Sequence, residues 1–259
     1  MIRASVLGSG SSGNAIFLET VNNKILIDVG FNATEITRRL ESIDQRPEDL
    51  TAILITHEHI DHIRGARIIA RKYDIPIYLN PATHQASKTI LGNIPQIEYF
   101  STGRPFTLNE LTVEPFSLPH DAYDPVGFNF YMGQIKISIA LDLGYVTKLV
   151  KERVQGARLI ILESNHDAEM LKIGPYPWPL KQRISSKLGH LSNEVSSNLL
   201  AEIAHGQLVG VILAHLSEIN NDPALARLTA ENSLMGHTSE VIVSCQDKPT
   251  TLITLGDGL

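Results

Sequence analysis

Short runs of apolar residues, separated by polar turns, follow one another along the chain. Residues 2–7, 15–19 and 24–28 have the length and the β-branched content of buried strands. Residues 33–40 and 193–205 instead place apolar side chains three and four positions apart, which predicts amphipathic helices. Strands and helices are therefore both expected early and late in the chain.

The same two patterns recur throughout the sequence. Further strands are predicted at residues 50–55, 75–79, 111–116, 128–132, 135–141, 158–162, 209–213, 240–244 and 250–255. Further helices are predicted at residues 63–73, 81–91, 146–153 and 223–235. The sequence G-P-Y-P-W-P at residues 174–179 interrupts this order, because proline cannot continue a regular helix. No boundary divides the chain, so residues 1–259 are expected to form a single domain of the α/β (or α+β) class.

One polar stretch, T-H-E-H-I-D-H at residues 56–62, lies between a predicted buried strand and a predicted helix. It contains four residues that can bind metal, namely His57, His59, Asp61 and His62. The zincin pattern H-E-x-x-H requires a second histidine four positions after the first, and Asp61 occupies that position here. His57 and His59 can share one side of a turn, whereas Asp61 and His62 begin the helix in another direction. Two such pairs indicate two metal ions rather than one, and the alternative is an exposed histidine-rich loop.

Composition and charge narrow the class of protein. Apolar residues make up 43% and charged residues 19%, as in a globular protein with a large core. The formal net charge of −6 argues against a surface coated with basic residues, but it allows a local nucleic-acid patch. The one cysteine cannot form a disulfide within the chain, no signal peptide is visible, and no apolar run reaches the roughly 18 residues of a membrane span. We therefore expect a cytoplasmic protein without membrane contact.

Two other segments have a functional and a structural interpretation. The glycine–serine turn G-S-G-S-S-G-N at residues 8–14 lacks the lysine of a P-loop. It is either a tight hairpin loop or a place where groups such as Ser11 and Asn14 face a substrate phosphate. The proline-rich segment carries Trp178, with Lys181 and Arg183 close behind. It is either a nucleic-acid contact or a surface loop whose tryptophan packs on the core.

The pattern H-x-H-x-D-H resembles the metal-binding motif of the metallo-β-lactamase superfamily. The resemblance implies a four-layer αββα sandwich, with two mixed sheets flanked by helices. It also implies two divalent metal ions, zinc or manganese with iron as a further option. One metal would be held by His57, His59 and His120. The other would be held by Asp61, His62 and His215, and Asp142 would bridge the two.

The resemblance also bears on other polar residues at predicted strand ends. It implies that Asp28 orients a metal ligand, although an aspartate before a glycine is also a common turn former. Asp142 would otherwise be read as the cap of the helix at residues 146–153. His166 follows a strand end too, but the metal set is complete without it, so it remains a candidate for the substrate site.

His190 is expected to donate a proton to the leaving group. Its G-H-L-S setting is similar to the H-S-T element of the tRNA 3′-processing members of the superfamily, in which the histidine assists phosphodiester cleavage. Asp61 and His190 are thus the candidate catalytic residues. Two metals roughly 3.5–4 Å apart would lower the pKa of a shared water and hold it as a bridging hydroxide.

A closer resemblance, to the YycJ/WalJ branch of the superfamily, covers nearly the whole chain. It rests on the segments S-G-S-S-G-N, L-I-D-V-G, T-H-E-H-I-D-H, L-E-S-N-H-D, G-P-Y-P-W-P-L-K-Q-R and G-H-L-S-N. This branch is associated with 5′→3′ exonuclease action on double-stranded DNA. The chain lacks the inserted β-CASP domain of the large nucleases, so DNA would be gripped by the core and its short loops, or by a homodimer.

Two other functions compete with the nuclease. The first is a small-molecule metallohydrolase of the same fold, acting on a cyclic phosphodiester, lactone or thioester; the acidic charge favours it. The second is a non-hydrolytic metal-bound scaffold, which the complete ligand set disfavours.

Overall fold

The first of two seven-stranded sheets is built mainly from the N-terminal half of the chain. In a computed structural model, residues 1–256 are described. The strands are β1 (Ile2–Gly8), β2 (Ala15–Glu19), β3 (Lys24–Ile27), β4 (Ala52–Leu54), β5 (Ile77–Leu79), β6 (Ile97–Tyr99) and β14 (Ile253–Leu255). Their order is β14-β1-β2-β3-β4-β5-β6, and β3 to β6 run parallel to one another. The remaining pairs are antiparallel, so the sheet is mixed.

The second sheet repeats this arrangement. Its strands are β7 (Phe106–Leu108), β8 (Leu111–Ser117), β9 (Val126–Met132), β10 (Ile135–Ala140), β11 (Leu159–Glu163), β12 (Gly210–Ala214) and β13 (Glu240–Val243). The order is β13-β12-β11-β10-β9-β8-β7, with β10 to β13 parallel. Each sheet thus has a block of parallel strands whose carboxyl ends are free to carry polar side chains.

Helices cover the outer face of each sheet. They are α1 (Ala33–Glu41), α2 (Ile60–Ile63), α3 (Ala66–Tyr73), α4 (Pro81–Leu91), α5 (Lys148–Val154), α6 (Ala168–Ile173), α7 (Trp178–Ile184), α8 (Asn193–Ile203) and α9 (Pro223–Ser233). One apolar cluster joins the inner faces of the two sheets, for example Leu18 with Phe128. A second packs α1 and α3 on the first sheet, and a third packs α5, α8 and α9 on the other. The predicted four-layer sandwich is confirmed.

Most predicted elements are present within one or two residues, and two of the exceptions have identifiable structural causes. The helix predicted at residues 63–73 is two helices, α2 and α3, that break at Gly65. A Cβ there would lie 2.2 Å from the carbonyl oxygen of Phe31, so the chain turns where only glycine fits. The proline-rich segment at residues 174–179, in which no regular helix is expected, is non-helical only as far as Pro177. Helix α7 begins at Trp178, because proline is tolerated in the first turn and Pro179 lies there.

Candidate metal centre and active site

Three candidate site residues adopt left-handed backbone conformations just beyond strand ends. Asp28 follows β3, Asp142 follows β10 by two residues, and His215 follows β12; their φ angles are 61°, 59° and 58°. Non-glycine residues rarely adopt this conformation, and such strain concentrates at functional sites. At each of these three positions the backbone turns sharply at the edge of its sheet. The side chains of both sheets are thereby directed to the same place.

The three histidines predicted for one metal lie together. The rings of His57 and His59 are 4.5 Å apart, and the ring of His120 lies 5.2 Å from that of His57. His120 comes from the loop after β8, whereas the other two follow β4, so the two sheets contribute jointly. All three can offer ring nitrogens within 4.8 Å of one another. This is the spacing that a single bound cation requires.

The second predicted set also converges. Asp61 Oδ2 lies 3.5 Å from His62 Nε2 and 3.7 Å from His215 Nε2. Asp142 lies between the two sets. One of its oxygens is 3.8 Å from His120 Nε2 and 3.6 Å from His215 Nε2, and the other is 3.0 Å from His62 Nε2. Its carboxylate is the only one predicted to bridge, and its position between both groups fits that role.

Bound metal ions fit this arrangement of donor atoms. Among the described residues, two buried ring nitrogens of the cluster have no hydrogen-bond partner, His57 Nε2 and His215 Nε2. A buried polar atom without a partner is costly, so such atoms indicate a missing ligand. Imidazole nitrogens with carboxylate oxygens are donors that zinc, manganese and iron accept.

Hydrogen bonds fix which ring nitrogen each histidine turns towards the centre. Nδ1 of His62 lies 2.7 Å from Asp28 Oδ2, and Nδ1 of His57 lies 2.9 Å from the Thr56 hydroxyl. Nδ1 of His120 donates to the carbonyl of Gly189 at 3.2 Å. In each case Nε2 is the ring nitrogen turned towards the other candidate ligands, and partners of this kind orient metal-binding histidines in general. Asp28 thus contacts His62, one of the candidate metal ligands.

The metal-free cluster has strongly perturbed protonation. Burial lowers the pKa of His57 well below its usual range, and the nearby charge of His62 adds to this. Burial would also lower the pKa of His62 and His215, but neighbouring carboxylates outweigh it: the pKa of His62 lies well above its usual range and that of His215 is about 10. Burial opposes ionisation of Asp142, yet the adjacent histidines hold its pKa well below the ordinary value. Protons thus compensate carboxylate charge that cations would otherwise neutralise.

Glu163, which the sequence did not single out, is a central part of the site. It ends β11, is fully buried, and places one oxygen 2.7 Å from His190 Nδ1 and 3.0 Å from His215 Nδ1. The other oxygen accepts the backbone N–H groups of Leu143 and Leu191. Burial would raise the pKa of this carboxyl, but the two histidines lower it to about 2. A carboxylate at the end of an apolar strand is the signal that could have revealed it, because a buried charge needs partners.

The glycine–serine turn supports the cluster from one side. The side-chain amide of Asn14 lies 3.3 Å from Asp61 Oδ2 and 3.1 Å from His62 Nε2. Its backbone N–H donates to the carbonyl of Asp61, and its carbonyl accepts from Gly30. A Cβ at Gly30 would lie 1.7 Å from the Asp61 carbonyl oxygen, so glycine is required for this close approach. Asn14 therefore orients candidate ligands, while Ser11 lies at the cleft above them.

The candidate ligands open into a cavity of about 240 Å³, which we call the central cleft. Ser11, His190 and Arg183 line it together with the metal cluster, and Arg183 also pairs with Asp121 at 3.1 Å. Trp178, Lys181 and His166 do not line the central cleft but a separate cavity. His84, His205 and His237 take no part in the clusters that could hold a metal ion within residues 1–256.

Known proteins share this fold and sequence. A family described as a beta-lactamase superfamily domain matches residues 23–211. The chain is 39% identical to Exodeoxyribonuclease YycJ of Bacillus anthracis, over 89% of this chain and 88% of that one. It is 41% identical to Exodeoxyribonuclease WalJ of Streptococcus pneumoniae, over 89% and 87%. The crystal structure of the metallo-beta-lactamase fold protein YhfI from Bacillus subtilis superimposes with a TM-score of 0.76 at 17% identity, over 96% and 99% of the two chains.

A sandwich of two mixed sheets with a histidine–aspartate cluster at its edge defines a metal-dependent hydrolase, and the chain belongs to the metallo-β-lactamase superfamily. Within it, the chain belongs to the YycJ/WalJ branch, as its identity to two relatives over most of their length shows. The sequence-based prediction of fold, family and enzyme class is confirmed.

The described part of the chain has no helix with the length and apolar character that a bilayer span requires.

Proposed function

We propose that this protein is a DNA exonuclease that uses two divalent metal ions. The observation that carries the proposal is His190, held by Glu163 at the edge of the metal cluster and facing the central cleft. A phosphodiester needs a proton for its leaving alkoxide, whereas a thioester releases a thiolate, which can leave without one. The exodeoxyribonuclease names of the two relatives support the same substrate.

Seven residues would hold the metals. One would be bound by His57, His59 and His120, the other by Asp61, His62 and His215, with Asp142 shared. Zinc, manganese and iron all suit this donor set. When bound, the pair supplies activation of water as the nucleophile and neutralises the charge that develops on the phosphoryl oxygens.

The protein's own groups complete the reaction. Glu163 is ionised and can only accept hydrogen bonds, so Nδ1 of His190 donates to it. This hydrogen bond orients the His190 ring, and Nε2 is left to give a proton to the leaving 3′ or 5′ oxygen. Arg183 lies at the wall of the cleft, where its guanidinium is suited to hold a neighbouring phosphate.

Double-stranded DNA as substrate, and digestion from 5′ to 3′, form the finer part of the proposal and rest on the resemblance to the YycJ/WalJ branch. We also propose that residues 1–259 act as one domain, because the site draws on residues from both sheets. Residues 257–259 lie outside the described part of the chain. The homodimer stays a prediction.

The test is a nuclease assay on end-labelled duplex and single-stranded DNA, with manganese or zinc. Asp61→Ala is the inactive variant, and His84→Ala is its matched control, because His84 is a half-buried histidine outside the candidate metal clusters whose Nδ1 bonds the Tyr99 hydroxyl. Stepwise shortening from 5′ ends by the wild type and His84→Ala, together with about two metals per chain by elemental analysis, is expected. Asp61→Ala should lose both activity and metal.

A small-molecule phosphodiesterase is the second candidate. The central cleft, about 240 Å³, is small for a polymer, and the net charge is negative. If neither metal supports DNA cleavage while a bis-aryl phosphodiester is turned over, this candidate replaces the nuclease.

A further inference from the structure

Helix α7 separates the central cleft from a second cavity of about 200 Å³. One side of the helix, with Leu180 and Arg183, lines the central cleft. The other side, with Trp178 and Lys181, lines the second cavity. No residue of α7 is fully buried, as expected for a helix with a cavity on each side. The two cavities are therefore neighbours across a single helix.

The floor of the second cavity is His166. Its side chain is nearly buried, with 4% of the residue exposed, and its Nδ1 has no hydrogen-bond partner among the described residues. The backbone carbonyl of His166 is held by the N–H of Asn193, so the ring cannot move freely away. The preceding residue, Asn165, donates to the carbonyl of His215 at 2.8 Å. The cavity thus adjoins the support of a candidate metal ligand without containing one.

The wall of the cavity combines an aromatic face with positive charge. Trp178 is the only tryptophan of the chain and is 66% exposed, which is unusual for so large an apolar side chain. Lys181 Nζ donates to the carbonyl of Lys172 at 2.6 Å, which holds one ammonium group beside the opening. An exposed indole, a fixed cation and an unpaired ring nitrogen are the features that bind a planar heterocycle attached to a phosphate.

We propose that this cavity binds one unpaired nucleobase of the DNA substrate, close to the bond that is cleaved. The base would stack on Trp178, His166 Nδ1 would meet a polar group on its edge, and Lys181 would contact the adjoining phosphate. The cavity is smaller than the about 300–1,000 Å³ of pockets for drug-sized ligands, so it suits a single base. Helix α7 is about 10–12 Å across, so the base belongs to a nucleotide within about three steps of the central cleft at about 3.4 Å per step.

This inference rests on the proposed nuclease function and has its own readout. Because Trp178 is the only tryptophan, its fluorescence reports contact at this cavity directly. The metal-loaded protein is titrated with a phosphorothioate duplex that carries a short single-stranded extension of thymidines, and with the same duplex carrying abasic residues. We expect quenching with the thymidine extension alone. Equal quenching by both extensions would show contact with the backbone only, and no quenching by either would show no contact at Trp178; each outcome would overturn the inference.

Variants extend the test to catalysis. Trp178→Ala is expected to raise KM for DNA about tenfold or more, and Trp178→Phe to restore most of the loss, since phenylalanine also stacks. His166→Ala should weaken the quenching while Trp178 remains as the reporter. Ile173→Ala is the matched control, because Ile173 is 79% exposed in the same segment and lines neither cavity. An unchanged KM in Trp178→Ala would contradict the inference.

The outcomes also separate the inference from the proposed function. DNA cleavage with no base-dependent quenching leaves the nuclease standing and removes the base site. Base-dependent quenching without cleavage of any DNA supports the site and removes the nuclease.

Discussion

One oxygen of Glu163 accepts hydrogen bonds from Nδ1 of both His190 and His215, at 2.7 and 3.0 Å. A single buried carboxylate therefore orients the candidate proton donor and a candidate metal ligand together. Because both rings share this partner, a change at Glu163 should disturb acid catalysis and metal binding at once. A change at His190 should disturb only the first.

Glu163→Gln is expected to lower metal affinity about 10–100-fold, as loss of a ligand's hydrogen-bond partner generally does. The amide cannot accept from two imidazoles and two backbone N–H groups, so we also expect a loss of about 1–3 kcal/mol in the free energy of unfolding. Metal titration and urea denaturation measure the two effects. Glu152→Gln, at an exposed glutamate, is the control. Unchanged metal affinity in Glu163→Gln would contradict the assigned role.

His190→Ala is expected to retain metal and to cleave DNA about 10²–10⁴-fold more slowly, as loss of a general acid does. A bis-aryl phosphodiester should be affected far less, because an aryloxide leaves without a proton. The comparison of the two substrates distinguishes proton donation from a merely structural role. An equal loss on both substrates, or full activity on DNA, would show that His190 does not protonate the leaving group.

The sequence predicts the parts of this site that follow directly from local pattern. The spacing of His57, His59, Asp61 and His62 is such a pattern. The roles of Asp142 and His215 come instead from the resemblance to the superfamily, because an aspartate after an apolar strand can equally cap a helix. Glu163 also ends an apolar strand, but its role was missed because its partners, His190 and His215, lie 27 and 52 residues further along the chain. The break at Gly65 was missed for the same reason, since it depends on contact with Phe31.

Asp28 offers a way to separate charge from backbone strain. Its φ of 61° is tolerated by asparagine but disfavoured for alanine, and its carboxylate holds both His62 Nδ1 and the Thr56 N–H. Asp28→Asn is therefore expected to lower metal affinity with little change in stability, whereas Asp28→Ala should lower both. Metal titration with thermal unfolding of the metal-free variants checks this. If Asp28→Asn bound metal as tightly as the wild type, orientation of His62 by charge would be excluded.

Metal binding is expected to release protons and to weaken as the pH falls. In the metal-free protein the pKa of His215 is about 10 and that of His62 is also raised, so at neutral pH both rings are protonated on both nitrogens and positively charged. Metal must displace these protons, and lowering the pH opposes this. Calorimetric titration with zinc in buffers of different ionisation enthalpy measures the protons released. A binding reaction that released no protons at pH 7 would show that His62 and His215 are neutral before the metal arrives.

The stability of the metal-free fold should depend on pH in the opposite direction. The raised pKa of His215 stabilises the fold below about pH 6.5, and this contribution is lost as the pH rises towards 10. Thermal unfolding from pH 6.5 to 10, with and without metal, measures this loss of stability.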